Sequence, residues 1–144
     1  MKLLLSEILQ KVNNAKTKAE KAKLLNEHNS QALRSLLIWN YDESVQSMLP
    51  DGPVPYKPLD VPKGSNHQFL DTQSKLFAYF VKGGINVTSM KREEMFIGLL
   101  ESLHPEEAEV LCLVKDKSLQ KKYTRISKTL IQEAFPNIQW GGRS

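Results

Sequence analysis

At 144 residues the chain is one domain's worth, and its 40% hydrophobic and 25% charged content is that of an ordinary soluble globular protein, which excludes a disordered chain. A formal net charge of +4 and a pI near 9.1 permit binding to nucleic acid or an anionic surface without requiring it. One cysteine, Cys112, excludes a disulfide framework and a CxxC metal knuckle, fits a reducing intracellular setting, and reads as a small core residue between Leu111 and Leu113.

Met1-Lys2-Leu3-Leu4-Leu5 begins like a secretion signal, but Ser6, Glu7, Gln10 and Lys11 end the apolar run at once, and nothing approaches the length needed to span a bilayer. The expected location is cytoplasmic, the host cytoplasm if the protein is viral. Leu4, Leu5, Ile8, Leu9 and Val12 recur at helical spacing and predict a first helix that stops at Asn13-Asn14. Thr17 followed by Glu20 is a capping-box pattern opening a second helix through Ala19, Ala22, Leu24 and Leu25 toward Asn29. Ser30 is the N-cap expected for a third, whose buried stripe is Leu33, Leu36, Leu37 and Trp39-Asn40-Tyr41. A fourth short helix is expected from Asp42, burying Val45, Met48 and Leu49.

Between residues 50 and 67, Pro50, Pro53, Pro55, Pro58 and Pro62 alternate with Gly52 and Gly64. Prolines at this density remove backbone donors and forbid helix, so the segment is expected to be an extended strap, anchored by Tyr56 and Leu59, between helical halves at 1–49 and 68–136. Phe69, Leu76, Phe77, Tyr79, Phe80 and Val81 restart a helical period that Gly83-Gly84 stops. Thr88 or Ser89 then caps a helix through Met95, Phe96, Leu99, Leu100 and Leu103. His104 precedes Pro105-Glu106-Glu107, placing proline in a first turn and acids at the positive end of the dipole, and that helix carries Ala108, Val110, Leu111, Leu113 and Val114 inward. A last helix opens at Ser127, buries Leu130, Ile131 and Phe135, and ends at Pro136, leaving residues 137–144 as a tail with Trp140. The expected fold is all-α: one compact domain of about eight helices in two layers.

Catalytic chemistry has little to work with. His28, His67 and His104 are scattered, without HExxH or paired metal spacing, and Gly83-Gly84 lacks the strand and GK[ST] of a phosphate loop. Glu93-Glu94 and Glu106-Glu107 fall in first turns, where acids stabilise helices. The expectation is a chain with no catalytic residues, no metal site and no cofactor, and with no membrane partner. The lysines at 16, 18, 21 and 23 share their helix with Glu20 and Glu27, which fits a solvated face.

The run from Lys115 to Lys128 is different: six cations meet one acid, Asp116, and lead into a helix N-terminus, which offers unpaired N–H groups and a partial positive charge to an anion. Lys115, Lys117, Lys121, Lys122, Arg125, Ser127 and Lys128 are therefore the candidate phosphate-binding residues, with Tyr123 and Thr124 as further hydrogen-bonding groups.

In order and spacing, Leu5-Ser6-Glu7-Ile8, Lys16 to Lys21, Leu24 to Asn29 and Leu33 to Tyr41, then Ile97 to Leu103, Glu107 to Leu111, Lys115-Asp116 and Leu130 to Pro136, resemble the N-terminal helical DNA-binding domain of ATP-dependent DNA ligases, most closely the T-even phage type. The resemblance spans nearly the whole chain. It implies a domain lying across the minor groove of double-stranded DNA and gripping phosphates with helix N-termini and the segment between its last two helices, here Lys115 to Lys128. The nucleotidyl-transfer domain with its KxDG lysine would follow in such a ligase and is not in these 144 residues, so a stand-alone phage protein that does not ligate by itself is expected. That family also usually places a glycine after the Asp, whereas Ser118 to Thr124 contains none.

The function expected is therefore non-catalytic binding of duplex DNA with low sequence specificity, accessory to phage DNA replication or repair, with phage replication proteins as further partners. The alternative is a protein-protein adaptor on a ligase-like helical scaffold that no longer binds DNA, anchored through Tyr56 and Trp140.

Overall fold

Helix starts in this chain are set by short polar side chains that accept the first unpaired N–H groups. The computed structural model describes residues 3–60 and 68–143, and within them the elements in chain order are α1 (Leu5–Asn14), α2 (Lys18–Glu27), α3 (Gln31–Tyr41), α4 (Leu70–Gln73), a 3₁₀ helix (Ser74–Tyr79), α5 (Ser89–Ser102), α6 (Pro105–Lys115), α7 (Leu119–Lys122) and α8 (Lys128–Ala134). Thr17, Ser30, Thr88 and Ser127 accept hydrogen bonds from the N–H groups of Glu20, Leu33, Lys91 and Leu130, and His104 Nδ1 accepts from Glu106 before Pro105 opens α6. The caps expected from the sequence are the caps observed. The fold is all-α, the described residues adding only an isolated antiparallel bridge between Ser47 and Val81.

One apolar cluster runs through both halves of the chain. Helix α3 lies at its centre, packed on α4, the 3₁₀ helix and α6, while α2 packs on α8 and α1 on both α2 and α6. Leu33, Leu36 and Leu37 are fully buried, and Trp39 at 2% exposure meets Phe77 and Phe80 at centroid distances of 5.4 and 6.2 Å. Phe80 in turn meets Phe96 edge-on at 5.2 Å, which carries the cluster into α5. Leu99, Leu100, Val110, Leu111 and Val114 close the core from α5 and α6.

Two expectations change. No helix forms from Asp42: its carboxylate takes the backbone N–H and hydroxyl of Ser44 into a local turn, and Gln46 to Met48 then pair with Phe80 to Lys82. Val45 and Leu49 are buried there, but Met48 is 44% exposed. From Leu70 the helical period is met by one α-turn running into the 3₁₀ helix, and the stop at Gly83-Gly84 holds. Gly83 takes φ +86°, and a Cβ on Gly84 would sit 1.9 Å from the Ala78 carbonyl oxygen, so only glycine fits.

The proline-rich strap is extended through residue 60, with Tyr56 and Leu59 half-buried and the Lys57 N–H bonded to Glu101 at 2.8 Å. Its remainder, with Pro62, Gly64 and His67, lies outside the described residues.

Glu107 ties three helix starts together. Itself in the first turn of α6, it is fully buried, and its two oxygens accept the N–H of Leu5 at 3.0 Å and of Leu70 at 3.2 Å, the first residues of α1 and α4. Burial pushes this carboxyl up, the two N–H donors pull it down, and the charges of Asp71 and Glu7 push it up again, with a net rise. A carboxyl raised in the folded state contributes stability that is complete at acid pH and is lost as pH rises through the folded value. Glu107→Gln keeps the shape but turns an NH₂ toward a backbone N–H. We expect a loss of about 1–3 kcal/mol at acid pH that narrows toward neutrality, read from urea unfolding at a series of pH values. A deficit independent of pH would contradict this.

Candidate nucleic-acid interface

Four consecutive residues at the C-terminal end of α3 hold the basic segment in place. Trp39 Nε1 donates to Ser47 Oγ at 2.8 Å, and that hydroxyl donates to the Lys115 carbonyl at 2.6 Å. Asn40, 4% exposed, accepts the Leu119 N–H at 3.0 Å and donates to Gln120 Oε1 at 2.9 Å. The Tyr41 hydroxyl donates to the Ile126 carbonyl at 3.0 Å, and burial pushes its pKa up to about 12, so it stays a donor across the working pH range. Asp42 faces the other way and takes the chain's end: Oδ2 accepts from the Gly141 N–H at 3.0 Å and from Arg143 Nη1 at 2.7 Å, while Ser44 Oγ accepts the Arg143 N–H at 3.0 Å. Burial would raise the Asp42 carboxyl, but bonds from Ser44, Gly141 and Arg143 hold it at about 2. Residues 137–143 are thus a docked strap rather than a loose tail.

The same segment leaves α6 through a Schellman turn. The Ser118 N–H reaches the Leu113 carbonyl at 2.7 Å and the Lys117 N–H the Val114 carbonyl at 2.9 Å, with Lys117 itself at φ +54°, the position that usually carries glycine. The strain of a left-handed lysine is offset by its ammonium, which donates to the carbonyls of Asp42 and, at 2.8 Å, Val45. The absence of glycine after Asp116 therefore has a structural counterpart: lysine supplies the turn and also a clasp.

The seven candidate residues separate into two groups. Lys115 does not belong to the surface, because it is 1% exposed and its ammonium binds Asp116 at 2.5 Å and the carbonyls of Pro50 and Gly52 at 2.7 and 3.2 Å. Lys117 is engaged as described. Ser127 uses its hydroxyl to cap α8, which has only seven residues, and so offers a phosphate no free side chain. Tyr123 is 1% exposed, and burial pushes its phenol up to about 12; it is a core residue and not a phosphate contact. Lys121, Thr124 and Arg125 remain exposed, and the backbone N–H of Arg125 is fixed to Asn13 Oδ1 at 2.9 Å. Lys122 pairs with Glu109 at 2.7 Å, and Lys128 lies over the Trp140 ring at 5.2 Å.

Asp116, the single acid of the run, points inward, to Lys115 and to the Gly52 N–H at 3.3 Å. The pair neutralises itself with Lys115 buried and Asp116 29% exposed, and every charged side chain of residues 117–128 is a cation. Beside them a cleft of about 400 Å³ between α1, α6 and α7 is lined by Lys11 and Lys122 together with Glu7 and Glu106. On α2, Lys18 pairs with Glu133 at 2.9 Å and Lys23 with Glu27 at 4.0 Å, as a solvated face would, but Lys21 is buried and bonds the Ala15 carbonyl at 2.7 Å.

The adaptor anchors are also taken. Tyr56 and Trp140 are both half-buried against the core. Cys112 is half-buried rather than enclosed, and burial pushes its thiol up to about 11. Among the described residues no three His, Cys, Asp or Glu side chains gather as a metal-binding group, and no helix is long and apolar enough to cross a membrane. The sequence had placed Asn40 and Tyr41 in a buried stripe without assigning them a task; two polar side chains in that stripe were the available signal. Asp42, assigned to a helix start, gave none.

Residues 8–121 match the sequence profile of a family described as a family of unknown function (DUF6433). No curated protein and no solved structure matches the chain.

Two substitutions test the clasp. Lys117→Ala leaves two carbonyls without their donor and keeps the unfavourable φ, for an expected loss of about 2 kcal/mol; Lys117→Gly should lose about 1 kcal/mol less, because glycine accepts φ +54° freely. Equal losses in chemical denaturation would contradict the role of the turn. Asp42 has a depressed pKa, so its contribution is present above its ordinary value of 3.8 and is lost as pH falls through about 2. Asp42→Asn should therefore cost about 2 kcal/mol at neutral pH, and the difference from the native chain should vanish toward pH 2.

Proposed function

The chain belongs to that family, and we propose that it is a non-catalytic protein, built like a ligase DNA-binding domain, that binds the phosphate backbone of duplex DNA with little sequence preference and serves phage DNA replication or repair. The observation that carries this reading is the pairing of Lys115 with Asp116, which leaves the outer charges of residues 117–128, on Lys121, Lys122, Arg125 and Lys128, all cationic on a segment fixed at both ends, with Lys122 paired to Glu109 of α6. A held backbone presents cations without a large ordering cost, which favours binding at a given number of contacts.

The partners of the four cations do not block this use. The Lys122–Glu109 pair is exposed, and such pairs contribute about 0–1 kcal/mol, so a phosphate can replace the carboxylate. A cation over a half-buried ring is held by about 0.5–2 kcal/mol, which a phosphate contact of Lys128 must offset. Sequence reading has no obvious instrument here: α7 is a single turn and α8 has seven residues, too short to lay a row of base-contacting side chains in a groove. Affinity should then come from phosphates and fall steeply with salt.

Four phosphate contacts give an expected slope of log K against log salt of about −3.6, from about −0.9 per contact. In a mobility-shift assay on nicked, intact and single-stranded DNA, Lys121→Glu, Lys122→Glu and Arg125→Glu together should abolish binding, whereas Lys115→Met and Lys117→Gly should leave the slope unchanged. A flat salt response, or equal binding by the native and triple-variant proteins, would remove the proposal.

A further inference from the structure

Beside the C-terminal end of α3, along Ser35, Ile38 and Trp39, the surface is partly apolar. An open groove of about 310 Å³ has Ile38, Trp39, Val45, Phe77 and Val81 along its floor, with Gly83-Gly84 at one edge. Lys82 and Arg143 stand at its rim, and none of its lining residues is acidic. Arg143 Nη1 donates to both Asp42 and the Gln139 carbonyl, which fixes the guanidinium at the groove while its second amino group makes neither bond.

The groove does not stand alone. Among the described residues the large hydrophobic side chains left exposed are Met48 at 44%, Ile85 at 47% and Met90 at 72%. Met48 and Ile85 border the segment Ala78 to Lys82 that forms one wall. The Met48 N–H bonds the Phe80 carbonyl at 2.7 Å, and the Ile85 N–H bonds the Ala78 carbonyl at 2.8 Å. Met90 opens the helix whose Arg92, 6% exposed, bonds the carbonyls of Tyr79 at 2.8 Å and Val87 at 3.2 Å. Scattered exposed hydrophobics need no account, but Met48 and Ile85 sit on segments bonded to one wall of the apolar groove and continue its apolar character. Methionine, unbranched and polarizable, suits a surface that adapts to its occupant.

We propose that this groove docks a short segment of another protein in which large apolar side chains alternate with carboxylates. The apolar floor takes the former, and Lys82 and Arg143 receive the latter. A second copy of this chain fits less well, since it would bring its own Lys82 and Arg143 and a net charge of +4 against the same cations. The surface lies apart from the proposed DNA face, and neither inference rests on the other.

The test is titration of the full chain, followed by backbone and indole NMR shifts, with three synthetic peptides: one with Leu and Phe separated by Asp, one with Lys for Asp, and one with Ser for Leu and Phe. The acidic apolar peptide should move the Trp39 indole and the amides of Val81, Lys82 and Gly83, and the other two should not bind. Lys82→Glu, at an exposed position that the fold does not need, should weaken the acidic peptide by at least about tenfold and admit the basic one. The proposal is overturned if no peptide binds, if the serine peptide binds equally, or if the shifts fall on residues 117–128. It is overturned likewise if sedimentation shows a dimer that Lys82→Glu dissolves.

Discussion

The polar end of α3 is the constraint on which the rest of this structure depends. Trp39, Asn40, Tyr41 and Asp42 occupy slightly more than one helical turn, so their side chains fan out in four directions, and each direction meets a different segment. One reaches Ser47 and the end of α6, one the start of α7, one the approach to α8, and one the C-terminal strap. Apart from the Trp39–Ser47 bond, these bonds join residues 68 to 101 positions apart in sequence. The groups are buried or nearly so, where an unmade hydrogen bond costs about 1–3 kcal/mol, and the loss of one partner therefore leaves several stranded. Apolar burial around α3 supplies cohesion, but it has no direction; the directional part of the fold begins where the apolar stripe ends.

That arrangement explains why counting charges along the basic run misleads. Six cations and one acid suggest a uniformly positive loop. Lys115 and Lys117 are instead structural, the first bridging α6 to the proline-rich strap and the second closing a left-handed turn against the end of α3. Both bind backbone carbonyls, acceptors that no inspection of side-chain charge reveals. Prolines make such acceptors available: a strap with few N–H donors has carbonyls free of secondary structure, and a buried ammonium is one way to satisfy them. The same economy turns Asp116 inward, so the surface loses two cations and its one acid together.

Most of the helical frame was legible because it rests on local rules. Thr17, Ser30, Thr88, His104 and Ser127 cap by side-chain chemistry that spacing alone discloses, and the stripes of Leu33, Leu36 and Leu37 or of Phe96, Leu99 and Leu100 follow the helical period. What was not legible depends on partners distant in sequence. Asp42 fits a helix start by type, yet its carboxylate is claimed by Ser44, Gly141 and Arg143. Met48 fits a buried helical position, yet bridging to Phe80 turns it outward. For the candidate site, Lys121 and Arg125 were legible as surface cations. The removal of Lys115, Lys117 and Tyr123 from that surface was not, because burial of a charge or a phenol is decided by what packs over it.

A fold organised around one helix end also divides its surface. The basic loop hangs from the α3 terminus through Asn40 and Tyr41, and the apolar groove lies beside that terminus, with Trp39 in its floor and Arg143, held by Asp42, at its rim. The two faces differ in what they can bind. The loop presents separated cations, with Lys122 at the cleft shared with α1 and α6, as the proposed contact with a charged polymer requires; the groove presents an apolar floor with charge at the edge, as the proposed docking of an apolar side chain requires. Consecutive residues at the end of α3 contact both faces. The rigidity that holds Lys121 and Arg125 outward and the rigidity that keeps the groove open thus have one source, the fully bonded polar terminus of a helix whose other faces are apolar.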